Sequence, residues 1–216
     1  MKVVCISDTH NKHEQIEIPE CDLLLHTGDF SSRGYKHEFQ NFVKWLDKQP
    51  AKHKVFISGN HDYICQKERE FVAEFVADYD VHYLLDSSVE IEGLKIYGSP
   101  WQPWFHNWAF NFNKNDHAQA ISTWAKIPDD TDVLLTHGPP YKVLDRVARV
   151  MHAGEDPNVG CKFLLGRVME VKPKLHVFGH IHEAYGQLEH NGTLFINAAS
   201  CTLQYQPTNL ATVTEL

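Results

Sequence analysis

The chain has no apolar stretch approaching the roughly 20 residues needed to cross a bilayer, and it opens on a strand-like Lys2–Ser7 rather than a leader segment. Basic residues are not in excess: 20 Lys and Arg stand against 28 Asp and Glu, a formal net charge of -8. That balance weighs against a general nucleic-acid binder, which would present a basic face. Bound divalent cations would soften the argument by adding positive charge where an anionic substrate sits. The five cysteines (Cys5, Cys21, Cys65, Cys161 and Cys201) are odd in number and contain no C-x-x-C pair. A disulfide framework and sulfur-ligated zinc are therefore not expected; buried reduced thiols are. No Ser/Gly linker, low-complexity tract, charge block or fixed-period repeat divides the 216 residues. With 43% apolar content, one domain over 1–216 is the expectation, in a reducing, cytoplasmic compartment and with no membrane association.

Short apolar runs are plentiful. Val3–Ser7, Leu23–His26, Lys54–Ser58, Val133–Thr136 and His176–Phe178 read as strands buried on both faces. Helical spacing appears in Tyr35–Lys48, where Phe39, Phe42, Val43 and Leu46 form a stripe before Pro50. It recurs in Gln66–Tyr79, Asn115–Lys126 and Val159–Val171. Ser88–Tyr97 and Thr193–Ala198 read as extended, the second entered through a hairpin turn at Asn191-Gly192. Strands alternating with helices, then hairpin-like strands, predict an α/β sandwich with mixed sheets. In such sheets ligands collect at the carboxyl ends of strands.

Five signatures sit at those ends: Asp8-Thr9-His10, Gly28-Asp29, Gly59-Asn60-His61-Asp62, His137-Gly138 and Gly179-His180-Ile181-His182. Any one would be weak evidence, since Asp-x-His recurs by chance; all five, in order and each after a strand, point to a hydrolytic two-metal centre. Asp8 and His10, two apart, are expected to leave an extended backbone on the same side. Asp29 has two carboxylate oxygens and is placed to bridge. Asn60 offers a neutral amide oxygen, and His137, His180 and His182 complete the shells. Nitrogen and oxygen ligands without sulfur suit two divalent ions, with Mn²⁺ the first expectation and Fe or Zn²⁺ also compatible. Ions about 3.5–4 Å apart would hold a bridging hydroxide for in-line attack on phosphorus. His61 is then expected to protonate the leaving oxygen, with Asp62 orienting its ring. Glycines 28, 59, 138 and 179 would let the backbone come close to the ions.

Most other histidines (His13, His37, His53, His82, His117 and His190) read as ordinary core or surface residues. His26 and His176 lie inside strands that lead to signatures and either pack there or support the ligands. Trp101, Trp104, Phe105, Trp108 and Phe110 crowd one segment without helical or strand periodicity. The segment is either a satellite core or a rim that stacks a nucleobase. As a rim, its substrate-binding candidates are Trp101, Trp104, His106 and Asn107.

The five signatures resemble the calcineurin-like metallophosphoesterases, whose pattern is Asp-x-His, Gly-Asp, Gly-Asn-His-Asp/Glu, His and Gly-His-x-His. The match runs from Asp8 to His182 with no departure. The resemblance implies a four-layer α-β-β-α sandwich. It implies one metal held by Asp8, His10, Asp29 and His182, and a second by Asp29, Asn60, His137 and His180. The strings around Tyr97–Phe105, Thr136–Pro140 and His176–Glu183 are similar to a narrower branch, the small metallophosphoesterase-domain phosphodiesterases. That branch is associated with hydrolysis of cyclic nucleotides and simple aryl phosphodiesters. Some of its animal members lack the first histidine of Gly-His-x-His, whereas this chain keeps His180. A phosphodiesterase acting on a small phosphodiester, foremost a cyclic nucleotide, is the resulting expectation. A broad phosphomonoesterase, a nuclease of the same superfamily and a non-catalytic scaffold are the alternatives.

Overall fold

The structure is a computed structural model that describes every residue from 1 to 216 except Lys114, Met151 and Ala153. Its strands in chain order are β1 (Lys2–Ile6), β2 (Cys21–His26), β3 (Ala51–Phe56), β4 (His82–Tyr83), β5 (Ser87–Ile91), β6 (Leu94–Ser99), β7 (Val133–Thr136), β8 (Leu175–Phe178), β9 (Gly186–His190), β10 (Thr193–Asn197) and β11 (Thr212–Glu215). Its α-helices are α1 (Lys36–Asp47), α2 (Tyr63–Lys67), α3 (Arg69–Val76), α4 (His117–Trp124) and α5 (Lys162–Val171). One mixed sheet runs β11-β1-β2-β3-β4, the other β5-β6-β7-β8-β10-β9.

Alternation along the strands sets the layers. In β1, Val3 and Cys5 face the second sheet, joining Leu23, Leu25 and Val55 against Ile96, Val133, Leu135, Val177 and Ile196. Val4 and Ile6 point the other way, with Leu24 and Phe56, onto Phe39, Phe42, Val43 and Leu46 of α1. On the far side, Tyr97, Leu134, Phe178 and Phe195 meet Trp124 of α4 and Leu164 and Val168 of α5. Two sheets face to face, each covered outside by helices, make the four-layer sandwich that the motifs implied. No helix among the described residues is long and apolar enough to cross a membrane.

Three details differ from the sequence reading. Gln66–Tyr79 is not one helix: α2 and α3 break at Glu68, whose φ of -124° and ψ of 56° leave the helical region. Ser88–Tyr97 folds back on itself, since β5 and β6 pair antiparallel around a turn at Glu92 and Gly93, both at positive φ. Val159–Cys161 stays outside α5, held to the Pro139–Tyr141 loop by the bonds Cys161 N to Pro139 O and Tyr141 N to Cys161 O. The expected turn at Asn191-Gly192 is present, with φ of 52° and 81°.

β1, β2 and β3 are mutually parallel, as are β6, β7, β8 and β10. The carboxyl ends of both parallel groups therefore emerge on one edge. The sheets are stitched together there by the Ser7–Ala199 bridge and by Ser200 N donating to Ser7 O at 2.8 Å.

Candidate metal centre

On that edge the side chains of all five signatures meet. Ligand atoms of Asp8, His10 and His182 lie within 4.8 Å of one another, as do those of Asp29, His137 and His180, and those of His10, Asp29 and His61. Each group could hold a metal ion. Asp29 belongs to two of them: its Oδ2 is 3.5 Å from His137 Nε2 and 3.9 Å from both His10 Nε2 and His61 Nε2. Asn60 Oδ1 is 2.9 Å from His137 Nε2, which adds the amide to the His137 group.

The rings are held from behind. His137 Nδ1 donates to the Thr27 carbonyl at 2.9 Å, and His182 Nδ1 to the Thr202 carbonyl at 3.0 Å. A ring whose Nδ1 carries the proton turns an Nε2 lone pair toward the site, the preparation usual for metal-ligating histidine. The Nε2 atoms of His10 and His182 face each other at 3.3 Å. Gly59 and Gly179 have no room for a side chain: an added Cβ would collide with the Asp29 carboxylate at the first and with the Asp8 carboxylate at the second. Gly138 differs, since a Cβ there meets only Gln102 Cβ at an ordinary 3.4 Å. The donor set, the facing nitrogens and the close backbone all fit divalent cations.

Electrostatics lead to the same reading. Burial works to raise the pKa of Asp8, but the hydrogen bond and charge of His182 hold it below the usual carboxylate range. Asp29 is likewise buried, and His137 and His61 hold it well below that range. Burial works against protonating His137 and His182, yet Asp29 and Asp8 lift them to about 9. His10 and His180 are pushed down by burial, to about 4 and about 3. Two buried carboxylates thus collect positive charge around themselves, and neutral imidazoles stand beside them.

The backbone reaches the site by a route the sequence reading did not foresee. Asp8, His10, Asp29 and His180 all have positive φ, of 52°, 42°, 54° and 67°. Asp8 and His10 therefore do not share a side through strand alternation; two left-handed residues turn the chain instead. Such backbone is costly outside glycine and clusters at functional sites. Supports keep it in place: Asp8 N donates to Gly28 O at 2.9 Å, and His180 N to both Asp8 carboxylate oxygens at 3.1 and 2.9 Å. His26 takes part too, accepting from Gly28 N at 3.1 Å through Nδ1 and lying 3.1 Å from the Thr9 hydroxyl through Nε2. His176 is 2.9 Å from the hydroxyl of Thr136, the neighbour of His137.

Asp62 does not orient His61. Its carboxylate accepts from the backbone N–H of Asp29, Ser31 and Gly59 at 2.9, 3.0 and 2.7 Å and from the Ser31 hydroxyl at 2.6 Å. It knits two signature loops together, and burial beside Asp29 pushes it up to about 8 against those donors. The His61 ring is oriented by the Ser32 carbonyl, to which Nδ1 donates at 2.8 Å.

Above the cluster opens a cleft of about 810 Å³, lined by Asp29, Asn60, His61, His180 and His182 at its floor. Of the four substrate-binding candidates, Trp104 alone is on its wall, 47% exposed and next to Phe105. Trp101 turns inward, stacked at 6.0 Å on Phe112 with its Nε1 donating to Asp86 at 3.1 Å. His106 and Asn107 sit at an exposed turn outside the cleft lining, where the Asn107 carbonyl takes the Tyr63 hydroxyl. Two aromatic residues were missed. Trp108 stacks on His61 with centroids 4.1 Å apart, and Tyr205 stands edge-on to His10 and His182 at 4.8 and 5.5 Å. Trp108 is visible in the sequence as part of the aromatic crowd; Tyr205 lies far from every motif and has no such signal.

The calcineurin-like phosphoesterase family model matches residues 1–184. The chain belongs to that family. It is therefore one of the metal-binding phosphoric ester hydrolases. It is 38% identical to human metallophosphoesterase domain-containing protein 1 over 239 aligned positions, covering 100% of this chain and 71% of that protein. It is 36% identical to the Caenorhabditis elegans UPF0046 protein K07C11.7, covering 93% and 70%. The fold is shared with phosphopantetheinyl hydrolase (PptH) of Mycobacterium tuberculosis, at a TM-score of 0.65 and 13% identity, over 99% of this chain and 95% of that one.

Proposed function

We propose that the chain is a dinuclear metal-dependent phosphodiesterase acting on small phosphodiesters, foremost cyclic nucleotides. The observation that carries the reading is the position of Asp29, whose carboxylate stands both with His137 and His180 and with His10, the residue that also stands with Asp8 and His182, at the floor of an aromatic-walled cleft. Asp8, His10, Asp29 and His182 would hold one ion, and Asp29, Asn60, His137 and His180 the other; Mn²⁺ is the first candidate. Two divalent cations supply Lewis acidity there, acidifying a solvent nucleophile to a pKa of about 7 and neutralising phosphoryl oxygens.

The remaining work belongs to the chain. His61 Nε2 faces the Asp29 carboxylate at 3.9 Å and borders the cleft; with Nδ1–H given to the Ser32 carbonyl, it is the imidazolium form that carries an Nε2 proton for a leaving alkoxide to take. Trp104, Phe105, Leu203 and Tyr205 form a mostly apolar wall, and among the described residues Arg149 is the one lysine or arginine on it. With the Glu183 carboxylate on the same lining, Arg149 leaves little net side-chain charge beside the metals, which suits the one negative charge of a diester better than the two of a monoester. The volume falls within the about 300–1,000 Å³ usual for small-molecule sites. The five cysteines, all free and buried, are consistent with a cytoplasmic location.

The test is a parallel kinetic screen of 2′,3′- and 3′,5′-cyclic nucleotides, aryl mono- and diesters and single-stranded DNA with Mn²⁺-loaded protein. The reading expects kcat/KM highest on a cyclic nucleotide and lost on chelation. A monoester or single-stranded DNA preferred over every small diester would overturn it.

A further inference from the structure

We infer that Trp108 is a positioning residue for His61, holding the imidazole in the orientation from which it serves the leaving group. The inference rests on the role given to His61 above and adds a residue to that machinery.

The His61 ring is confined on three sides. Ser32 O accepts from Nδ1 at 2.8 Å, the His10 ring meets it edge to face at 4.7 Å, and Trp108 covers its face at 4.1 Å with planes 29° apart. The carbonyl takes the Nδ1 proton and fixes one ring edge but leaves rotation about the hydrogen-bond axis free. A flat indole on the imidazole face removes that rotation. Nε2 is the atom left pointing toward Asp29 and the cleft.

Trp108 is itself well anchored, although its segment is irregular. Ala109 N donates to the carbonyl of Asn60, the residue preceding His61, at 3.0 Å. Phe110 N donates to Gln66 Oε1 at 3.2 Å, and the Tyr63 hydroxyl donates to the Asn107 carbonyl. Tyr63 and Gln66 both belong to α2, which follows the Gly59–Asp62 signature directly. The two segments are therefore fastened at residues 107, 109 and 110, and the indole between those fastenings lies over His61. Trp108 is absent from the cleft lining, unlike Trp104 and Phe105, so its ring faces His61 rather than substrate.

The experiment compares Trp108→Leu, Trp108→Phe, His61→Ala and the His61→Ala/Trp108→Leu double variant, on a diester with an alkoxide leaving group. Trp108→Leu keeps apolar bulk without a flat face. It should lower kcat by about tenfold to a hundredfold, the scale of a misplaced catalytic group, with KM, metal stoichiometry and melting temperature near those of the parent. Trp108→Phe should restore most of the rate. The double variant should be no slower than His61→Ala alone, because a positioning residue has nothing left to position. A readout independent of turnover is the carbon-bound imidazole proton resonances of His61 in Zn²⁺-loaded protein. The stacked indole should move them upfield, and Trp108→Leu should abolish that shift. His61→Ala alone tests the proton-donor reading, which fails if the rate is unchanged. The Trp108 inference fails if His61→Ala slows the reaction while Trp108→Leu does not, if the two losses multiply, or if Trp108→Leu raises KM with kcat intact.

Discussion

In the ligand cluster that forms and underlies the floor of the cleft, Asp8, Asn60, His137 and Asp29 are at most 2% exposed, and each follows a strand of a parallel group. At the rim, Trp104, Phe105, Leu203 and Tyr205 are 45–53% exposed and come from segments without regular structure. The floor is over-determined: Asp62 alone ties two loops, and four left-handed residues are tolerated because hydrogen bonds hold them. The rim is held by local bonds within its own loops, Phe105 O accepting from Asn111 Nδ2 at 3.2 Å and Tyr205 N donating to Thr202 O at 2.8 Å. A change at the floor should therefore abolish metal binding or turnover as a whole, whereas a change at the rim should alter which substrate is favoured. Preorganised charge is the usual source of rate, and apolar surface the usual source of selectivity.

The hardest test of this contrast is Asp29→Ala. It removes the carboxylate shared by both groups, so metal stoichiometry by elemental analysis should fall at both sites. Turnover should fall by more than about 10³-fold, since a single electrostatic contact is already worth about 10²–10³. A variant that kept two tightly bound ions and near-parental turnover would remove Asp29 from the bridging position. Next in size is His61→Ala, expected to cost about 10²–10⁴ in kcat on alkoxide leaving groups with metals retained. The loss should shrink on nitrophenyl esters, whose leaving group needs little protonation. Equal losses on both would point to transition-state charge stabilisation instead.

The rim is tested by a pair of tryptophans that the sequence left equivalent. Trp104→Ala should raise KM for cyclic nucleotides about tenfold to a hundredfold, the worth of one stacked base, and leave a small non-aromatic diester nearly untouched. Trp101→Ala should leave KM alone and lower the melting temperature, because Trp101 packs on Phe110 and Phe112. If the two variants behaved alike, the boundary between wall and satellite core would be misplaced.

The smallest effect lies beneath the floor. His13 is buried against Phe42 and Trp45, and burial lowers it to about 4. Its pKa in the unfolded chain is about 6.5, so the unfolded state binds more protons between those values. The part of stability that depends on a neutral His13 is complete above pH 6.5 and is lost as pH falls toward 4. His13→Leu should flatten the decline of the urea midpoint between pH 7 and pH 5 without altering activity at pH 7. An unchanged slope would assign the acid sensitivity to other groups.

How far the sequence could be read follows the same division. Every predicted ligand reaches one edge of the sandwich, since each is tied to the end of a buried strand and strands announce themselves through apolar runs. The weaker inferences were those about short-range geometry. Asp8 and His10 looked like neighbours on an extended strand, yet both are left-handed. Asp62 looked like the partner of His61 because it is adjacent, yet its oxygens are taken by loops up to 33 residues away. Ser88–Tyr97 looked like one strand because the Glu92-Gly93 reversal hides inside an otherwise regular pattern.

By itself the sequence determined the chemistry: which residues can bind metal, their order along the chain, and the strand ends that present them. Residue type is decisive there, because few side chains offer nitrogen or oxygen lone pairs and the backbone beside them often needs glycine. Only the tertiary structure decided which candidate ligands cluster around Asp29, which carbonyl holds the His61, His137 and His182 rings, and which aromatic ring faces His61, the cleft or the core. Trp101, Trp104 and Trp108 are chemically identical and lie within eight residues of one another. Their different roles come from the path of an irregular loop, fastened to α2 by long-range hydrogen bonds that leave no periodic trace in the sequence.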